Sequence, residues 1–261
     1  MLRQWIVPPD PEPAWVQTGS EPNVPGFWAG RNLLTAFVSW GADTFEDGIV
    51  ISESCAQRYS TPHPVEVGDK FSNRHGTKGV ISRILPDEEM PHLPDGAPVE
   101  LLYNFGGLHI RMNFGQVREA VMGRIARAEG QPAVVPPYGA PSAGEIRGRL
   151  AAVGLPETGM ETLTAGPGGP PLQRPSTVGW VYWGRTSHLS RNKVRRFVEG
   201  PMGQVQGELE NAALKELGAF ENLAEYLNTR SSRRPDADTL AVRAAAGPVE
   251  QAAPPPPSLP T

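Results

Sequence analysis

Apolar positions along the chain change period several times, and those changes divide it into elements. Leu33 to Trp40 and Ile49 to Ser52 are rich in β-branched and aromatic residues and are bounded by Gly41 and Gly48, which predicts two strands. Ser52 and Glu53 then open a short helical turn to about Arg58. Val80 to Ile84, Val99 to Asn104 and Thr177 to Trp183 read as further strands. From Phe114 to Ala128 the apolar positions 114, 117, 121 and 125 recur at three to four residues, one face of an amphipathic helix. Ala143 to Val153 reads as a second helix, with Ser142 as N-cap, Glu145 three residues on and Gly154 where a helix stops. Leu209, Ala213, Leu217, Phe220, Leu223 and Leu227 form a last helical stripe, predicted to pack on the body or on a partner.

Between these elements the pattern is broken by proline and glycine. Prolines at 8, 9, 11, 13, 22 and 25 predict an extended arm over residues 1–29, with Trp5, Trp15 and Trp28 packed down on the body. Residues 131–176 are a Pro/Gly-rich connection that, outside its one helix, reads as linker or loop. Residues 30–130 hold the core, residues 177–230 a strand, a basic segment and a helix, and residues 231–261, with PPPPSLP near the end, read as a disordered tail. The class is mixed α+β and β-rich, with peripheral helices.

Composition narrows the chemistry. A chain of 261 residues with 39% hydrophobic and 20% charged positions buries a sizeable core, and 29 prolines and 29 glycines imply much irregular chain. With a formal net charge of -4, any contact with nucleic acid has to come from local basic patches. Cys55 is the single cysteine, which excludes an internal disulfide and a multi-cysteine zinc site. No apolar run approaches the roughly 20 residues needed to span a bilayer and no charged-then-apolar leader opens the chain, so it reads as cytoplasmic, with no membrane partner.

Three stretches carry candidate chemistry. Gly68 to Val80, GDKFSNRHGTKGV, sets Lys70, Arg74, His75 and Lys78 among three glycines, with Asp69 opposing them. Glycines let a backbone turn tightly and approach a ligand, and two lysines eight residues apart can reach phosphates from neighbouring turns of one loop. A solvated turn between strands is the plainer alternative. The turn DTFEDG holds Asp43, Glu46 and Asp47, oxygen ligands suited to Mg²⁺ or to a cation-bound triphosphate, or else ordinary Asx-turn chemistry. Gly184 to Arg196 carries Arg185, Arg191, Lys193, Arg195 and Arg196 with no acid, enough to neutralise several phosphates unless it is a solvated face. Arg74, His75, Arg191, Lys193 and Arg195 are the candidate nucleic-acid contacts.

Taken in order, NLLTAFVSWGADTFEDGIVISE at 32–53, GDK and RHGTKG, LPDEEMPHLPDG at 85–96 and RMNFGQ at 111–116 resemble the core of the β subunit of bacterial DNA-directed RNA polymerase. That family runs FED, a strand ending in ISE, GDK, RHGxKG, a DMPxLPDG-like turn and SRMNxGQ. The likeness is clearest over 30–130 and resumes at 176–230 in TVGWVYW and MGQVQGELENAALKELGAF. It implies a double-psi β-barrel with the lysine loop on its active face, and a share in transferring nucleotides from NTPs to an RNA 3′ end. By the resemblance, Lys70 and Lys78 are the catalytic lysines on phosphates of the transcript end. Arg111 reaches the incoming nucleotide, and Glu46 and Asp47 lie near the nucleotide and the second metal. Lys193 matches a family lysine, whereas Arg195 replaces a histidine, and Phe197 and Val205 stand where the family has arginines. Residues 54–67 join ISE to GDK directly, where the polymerase subunit carries a long insertion with its flap. No NADFDGD-like string is present. The expected Mg²⁺ is therefore bound mainly by a β′-like partner subunit and none is held by this chain alone, which is expected to be inactive by itself. DNA template, nascent RNA and NTPs complete the implied partners. The alternative is a non-catalytic β-subunit relative that binds nucleic acid or a polymerase partner.

Overall fold

In the computed structural model, which describes residues 5–192 and 208–228, the N-terminal arm carries two short strands, β1 (Trp5–Ile6) and β2 (Val16–Gln17). The body follows as β3 (Arg31–Phe37), β4 (Gly48–Ser52), α1 (Glu53–Tyr59), β5 (Lys70–Asn73), β6 (Lys78–Leu85), β7 (Pro91–His92) and β8 (Leu101–Tyr103). After it come α2 (Phe105–Arg111), α3 (Gly115–Glu129), β9 (Ala133–Val134), α4 (Ala143–Ala152), β10 (Met160–Glu161), β11 (Thr164–Ala165) and β12 (Ser176–Thr186). A separate unit after Arg196 contains α5 (Glu208–Glu216) and α6 (Phe220–Asn228), joined by a turn in which Gly218 has φ +68°.

Six strands close on themselves in the order β12, β3, β8, β4, β6, β5, with β5 pairing back to β12 through Trp183↔Asn73. The pairs β3–β8 and β4–β6 are parallel and the remaining pairs antiparallel, an arrangement that fits a double-psi barrel. Strand alternation sorts the side chains. Leu33, Ile49, Phe71, Ile81, Leu101, Tyr103, Val181 and Trp183, drawn from all six strands, form one buried cluster in the interior. Leu34, Ala36, Val50, Leu102 and Val178 face the other way, into a second cluster covered by Leu85, Met90, Leu93 and Leu163. Each fully buried side chain of this size contributes about 1.5–3 kcal/mol, so the barrel is held chiefly by its filled interior.

Several expectations change. The lysine segment is a strand hairpin rather than a glycine loop, because Phe71 and Ile81 anchor its two halves in the interior. The connection 131–176 contributes short strands as well as α4, and Ala133 and Leu150 pack with Met122, Ile125 and Ala126 of α3. The face α3 turns to β12 is small and polar. Gln116, Glu119, Ala120 and Gly123 are buried there while Phe114 is exposed, because backbone approaches side-on: a Cβ on Gly123 would lie 2.5 Å from the Trp180 carbonyl. Of the C-terminal stripe, Leu223 is buried and Ala213, Leu217 and Phe220 are exposed. The expected tail at 231–261 lies outside the described residues.

Candidate functional site

The register Lys70↔Val80, Phe71↔Gly79, Ser72↔Lys78 puts Phe71 inward and turns Lys70, Ser72 and Lys78 to the outer face of one hairpin. The two lysines are diagonal neighbours across the strand pair, a placement in which residues stand about 7–8 Å apart with their Cβ atoms somewhat closer. Lys78 is exposed, and the half-buried Lys70 donates its amide to the His188 carbonyl at 3.3 Å. Gly79 has to be a glycine, since a Cβ there would lie 2.6 Å from the Asp47 carbonyl. That oxygen accepts from the Val80 amide at 2.9 Å, which draws the FEDG turn against the lysine strand.

A turn at Arg74–Gly76, with Gly76 at φ +85°, reverses the hairpin. Asn73 accepts at Oδ1 from the amides of His75 (3.0 Å) and Thr77 (3.2 Å), and its Nδ2 donates to Gln116 Oε1 at 2.7 Å. Thr77 Oγ1 accepts from Asn113 Nδ2 at 2.6 Å and from Gln116 Nε2 at 2.7 Å. The RMNFGQ motif therefore clamps the RHGTKG turn. One helical turn on, Glu119 is 4% exposed and accepts from Arg74 Nη2 (2.6 Å), the Tyr182 amide (3.0 Å) and His75 Nε2. Burial alone would raise its carboxyl, but Arg74 and His75 outweigh burial and hold it below the usual carboxylate value. Arg74 also lies 5.3 Å from the centre of the Tyr182 ring. Both Arg74 and His75 are thus committed to an internal carboxylate while about a quarter of each side chain stays exposed.

The carboxylates of DTFEDG separate. Asp43 pairs with Arg83 at 3.0 Å, Glu46 is exposed with φ +50°, and Asp47 forms a two-bond pair with Arg111, Nη2 to Oδ2 at 2.9 Å and Nη1 to Oδ1. Arg111 reaches Asp47 because Asn104 caps α2, accepting the Gly106 amide at 2.8 Å, and the helix ends with Arg111 in its last turn. Hydrogen bonding to Asp47 raises the Arg111 guanidinium above its ordinary value. The Tyr103 hydroxyl joins the pair at 3.2 Å from Asp47 Oδ1; burial, then the Asp47 charge, pushes its pKa up to about 12. Among the described residues no group of three His, Cys, Asp or Glu side chains stands together to hold a metal ion. The carboxylates of DTFEDG do not stand together, since Asp43 and Asp47 each face an arginine.

Arg185 also leaves the expected basic patch. It is 1% exposed, pairs with Asp69 at 2.7 Å and donates to the carbonyls of Tyr59 (3.3 Å), His63 (2.8 Å) and Pro64 (2.7 Å). Asp69 in turn accepts from the Ser190 amide at 2.9 Å, tying the lysine hairpin to the end of β12. Arg191 is exposed, with Nη1 2.6 Å from His63 Nδ1. Lys193, Arg195 and Arg196 lie outside the described residues. The residues not singled out from sequence are Asn73, Tyr103, Thr77, Asn113, Gln116 and Glu119. Asn113 and Gln116 stood inside the RMNFGQ motif without a role of their own, and Glu119 follows Gln116 by one helical turn on the same face.

A family model described as RNA polymerase Rpb2, domain 6, matches residues 58–207. Proteins named DNA-directed RNA polymerase subunit beta are similar over much of the chain. That of Solibacter usitatus is 40% identical over 182 residues, 64% of this chain and 13% of its own length. The Rhodopirellula baltica protein is 38% identical over 187 residues, 66% of this chain and 15% of its own. The Mycoplasma mycoides protein is 37% identical over 182 residues, 64% and 14% respectively. The chain thus spans about one seventh of the length of these relatives. A closed barrel of six strands, a lysine hairpin clamped by RMNFGQ and a family match over more than half of the sequence agree: this chain is a β-subunit-like member of the RNA polymerase Rpb2 domain 6 family.

Proposed function

We propose that the chain supplies the β-like half of a DNA-directed RNA polymerase active site, helping to transfer nucleotides from NTPs to an RNA 3′ end beside a β′-like subunit. The observation that carries this reading is the pair of lysines, Lys70 and Lys78, on one face of a hairpin whose turn is clamped from behind by Asn113 and Gln116. A rigid mount keeps two ammonium groups in place without reorganisation when charge develops on a phosphate, which is where fixed cations contribute most to rate. In this reading Lys70 and Lys78 hold phosphates of the transcript end, Arg111 takes the incoming triphosphate, and Glu46 with Asp47 borders it. Arg191, Lys193 and Arg195 contribute cations toward template and transcript. Mg²⁺ is assigned to the partner's aspartates, since the carboxylates at this end of the barrel face arginines rather than one another.

The test is single-nucleotide addition on a primed template by the chain alone, by the complex reconstituted with its β′-like partner, and by lysine variants of that complex. The chain alone is expected to add nothing. Lys70→Ala or Lys78→Ala removes a charge-assisted contact worth about 1.5–3 kcal/mol, so the addition rate falls by roughly one to two orders of magnitude while the melting temperature stays near native. Incorporation by the purified chain without partner, or near-normal addition by a well-folded double variant, would contradict the reading.

A further inference from the structure

The pair between Asp47 and Arg111 has a third member to which neither the family match nor the sequence resemblance assigns a role. Tyr103 is 1% exposed, with its ring in the barrel interior 6.4 Å from that of Trp183. Its hydroxyl emerges at the end of β8, donates to Asp47 Oδ1 at 3.2 Å and lies 3.4 Å from Arg111 Nη1. Gly107 leaves room for it, since a Cβ there would stand 2.9 Å from the hydroxyl. Phenylalanine would fill the interior as well as tyrosine does, so packing accounts for the ring and leaves the oxygen to be explained.

Arg111 spends both terminal nitrogens on Asp47. A polyphosphate that takes the same fork has to displace the carboxylate, and Asp47, whose side chain is 36% exposed, then keeps only water and whatever donor the protein still offers it. We propose that Tyr103 is a positioning residue that holds Asp47 while Arg111 changes partners, making the pair an exchangeable latch for a polyphosphate. The latch rests on the reading of Arg111 as the triphosphate-binding residue.

The experiment is calorimetric titration of the full chain with inorganic tripolyphosphate at fixed low salt. The forms compared are native, Arg111→Gln, Tyr103→Phe, Asp47→Asn and the double variant of the last two, each checked by thermal melting. Arg111→Gln should weaken binding at least about tenfold. Tyr103→Phe should weaken it about three- to tenfold, because displacement then leaves Asp47 without the tyrosine hydroxyl. Asp47→Asn should tighten binding by removing the competing charge, and in that background Tyr103→Phe should change affinity less than about twofold. A merely structural tyrosine would lower affinity equally in both backgrounds. That result, or no loss on the native background, overturns the positioning role and leaves the Arg111 reading standing. Unchanged binding in Arg111→Gln overturns that reading and the latch with it. Should Tyr103→Phe fail to fold, Gly107→Ala, whose Cβ would stand 2.9 Å from the hydroxyl, 3.4 Å from Arg111 Nη1 and 3.5 Å from the ring carbon Cζ, carries the same comparison between the two Asp47 backgrounds.

Discussion

Glu119 shows how far a single residue shapes the candidate site. A carboxylate at 4% exposure is expensive to bury unless donors converge on it, and here Arg74, His75 and the Tyr182 amide do so. Glu119→Gln leaves Arg74 facing a neutral amide in a half-buried position and should cost about 2–3 kcal/mol in denaturant unfolding. The sign of the pH dependence follows from the lowered carboxyl. The unfolded chain binds this proton more readily, so the contribution is fully present above the ordinary value of 4.5 and is lost as pH falls through the lower folded value. Native melting temperature should therefore drop more steeply below about pH 4.5 than that of Glu119→Gln; parallel profiles would remove Glu119 from the acid response. Sequence located the two cations but not their partner, which lies forty-five positions from Arg74 and is brought beneath the turn only when α3 crosses β12. Tyr103 was legible only as a strand residue, because its hydroxyl meets Asp47 and Arg111 only once β8, the FEDG turn and α2 are assembled.

Among elements, the hairpin β5–β6 and helix α3 act as one piece. Thr77 Oγ1 takes two amide donors, so Thr77→Val keeps the shape while removing the acceptor of the half-buried Asn113 and leaving the buried Gln116 amide only the Asn113 carbonyl at 3.3 Å. A loss of about 2–3 kcal/mol is expected, with amide exchange at residues 75–77 accelerated before that of β3. Uniform acceleration would show that the clamp is not local. Elements with strong local signals were read correctly from sequence: Ser142 accepts the Glu145 amide at 3.3 Å and Glu145 returns a bond to the Ser142 amide at 2.7 Å. β5 was read as loop because KFSN offers one apolar side chain in four residues, and it becomes a strand by pairing with β6 and β12. The periodic stripe on α3 was read in part: Val117, Val121 and Ile125 pack into the apolar clusters while Phe114 is exposed, and a second, polar face, set by backbone approach at Gly123 and by the bonds of Gln116 and Glu119, is one that hydrophobicity does not record.

At the scale of the whole molecule, strand order and closure were legible only through the family resemblance, because pairing β5 with β12 joins residues over a hundred positions apart and leaves no local trace. No helix among the described residues is long and apolar enough to cross a membrane. The enclosed Arg185 has a consequence for how this body tolerates added polypeptide. Its guanidinium grips the carbonyls of Tyr59, His63 and Pro64, so both ends of the stretch from Ser60 to Pro62 are fastened independently of what lies between them. Pro62 itself is exposed. A dozen glycine and serine residues inserted at Pro62 should therefore cost only loop-closure entropy, about 1–2 kcal/mol by denaturant titration. The same insertion after Val67 pushes apart Asp69, Lys70 and Ser190 and should cost several times as much. Equal penalties at the two points would mean that Arg185 does not fasten the stretch. With the penalties ordered in this way, a whole extra module can be spliced in at Pro62 while the lysine hairpin stays where it is.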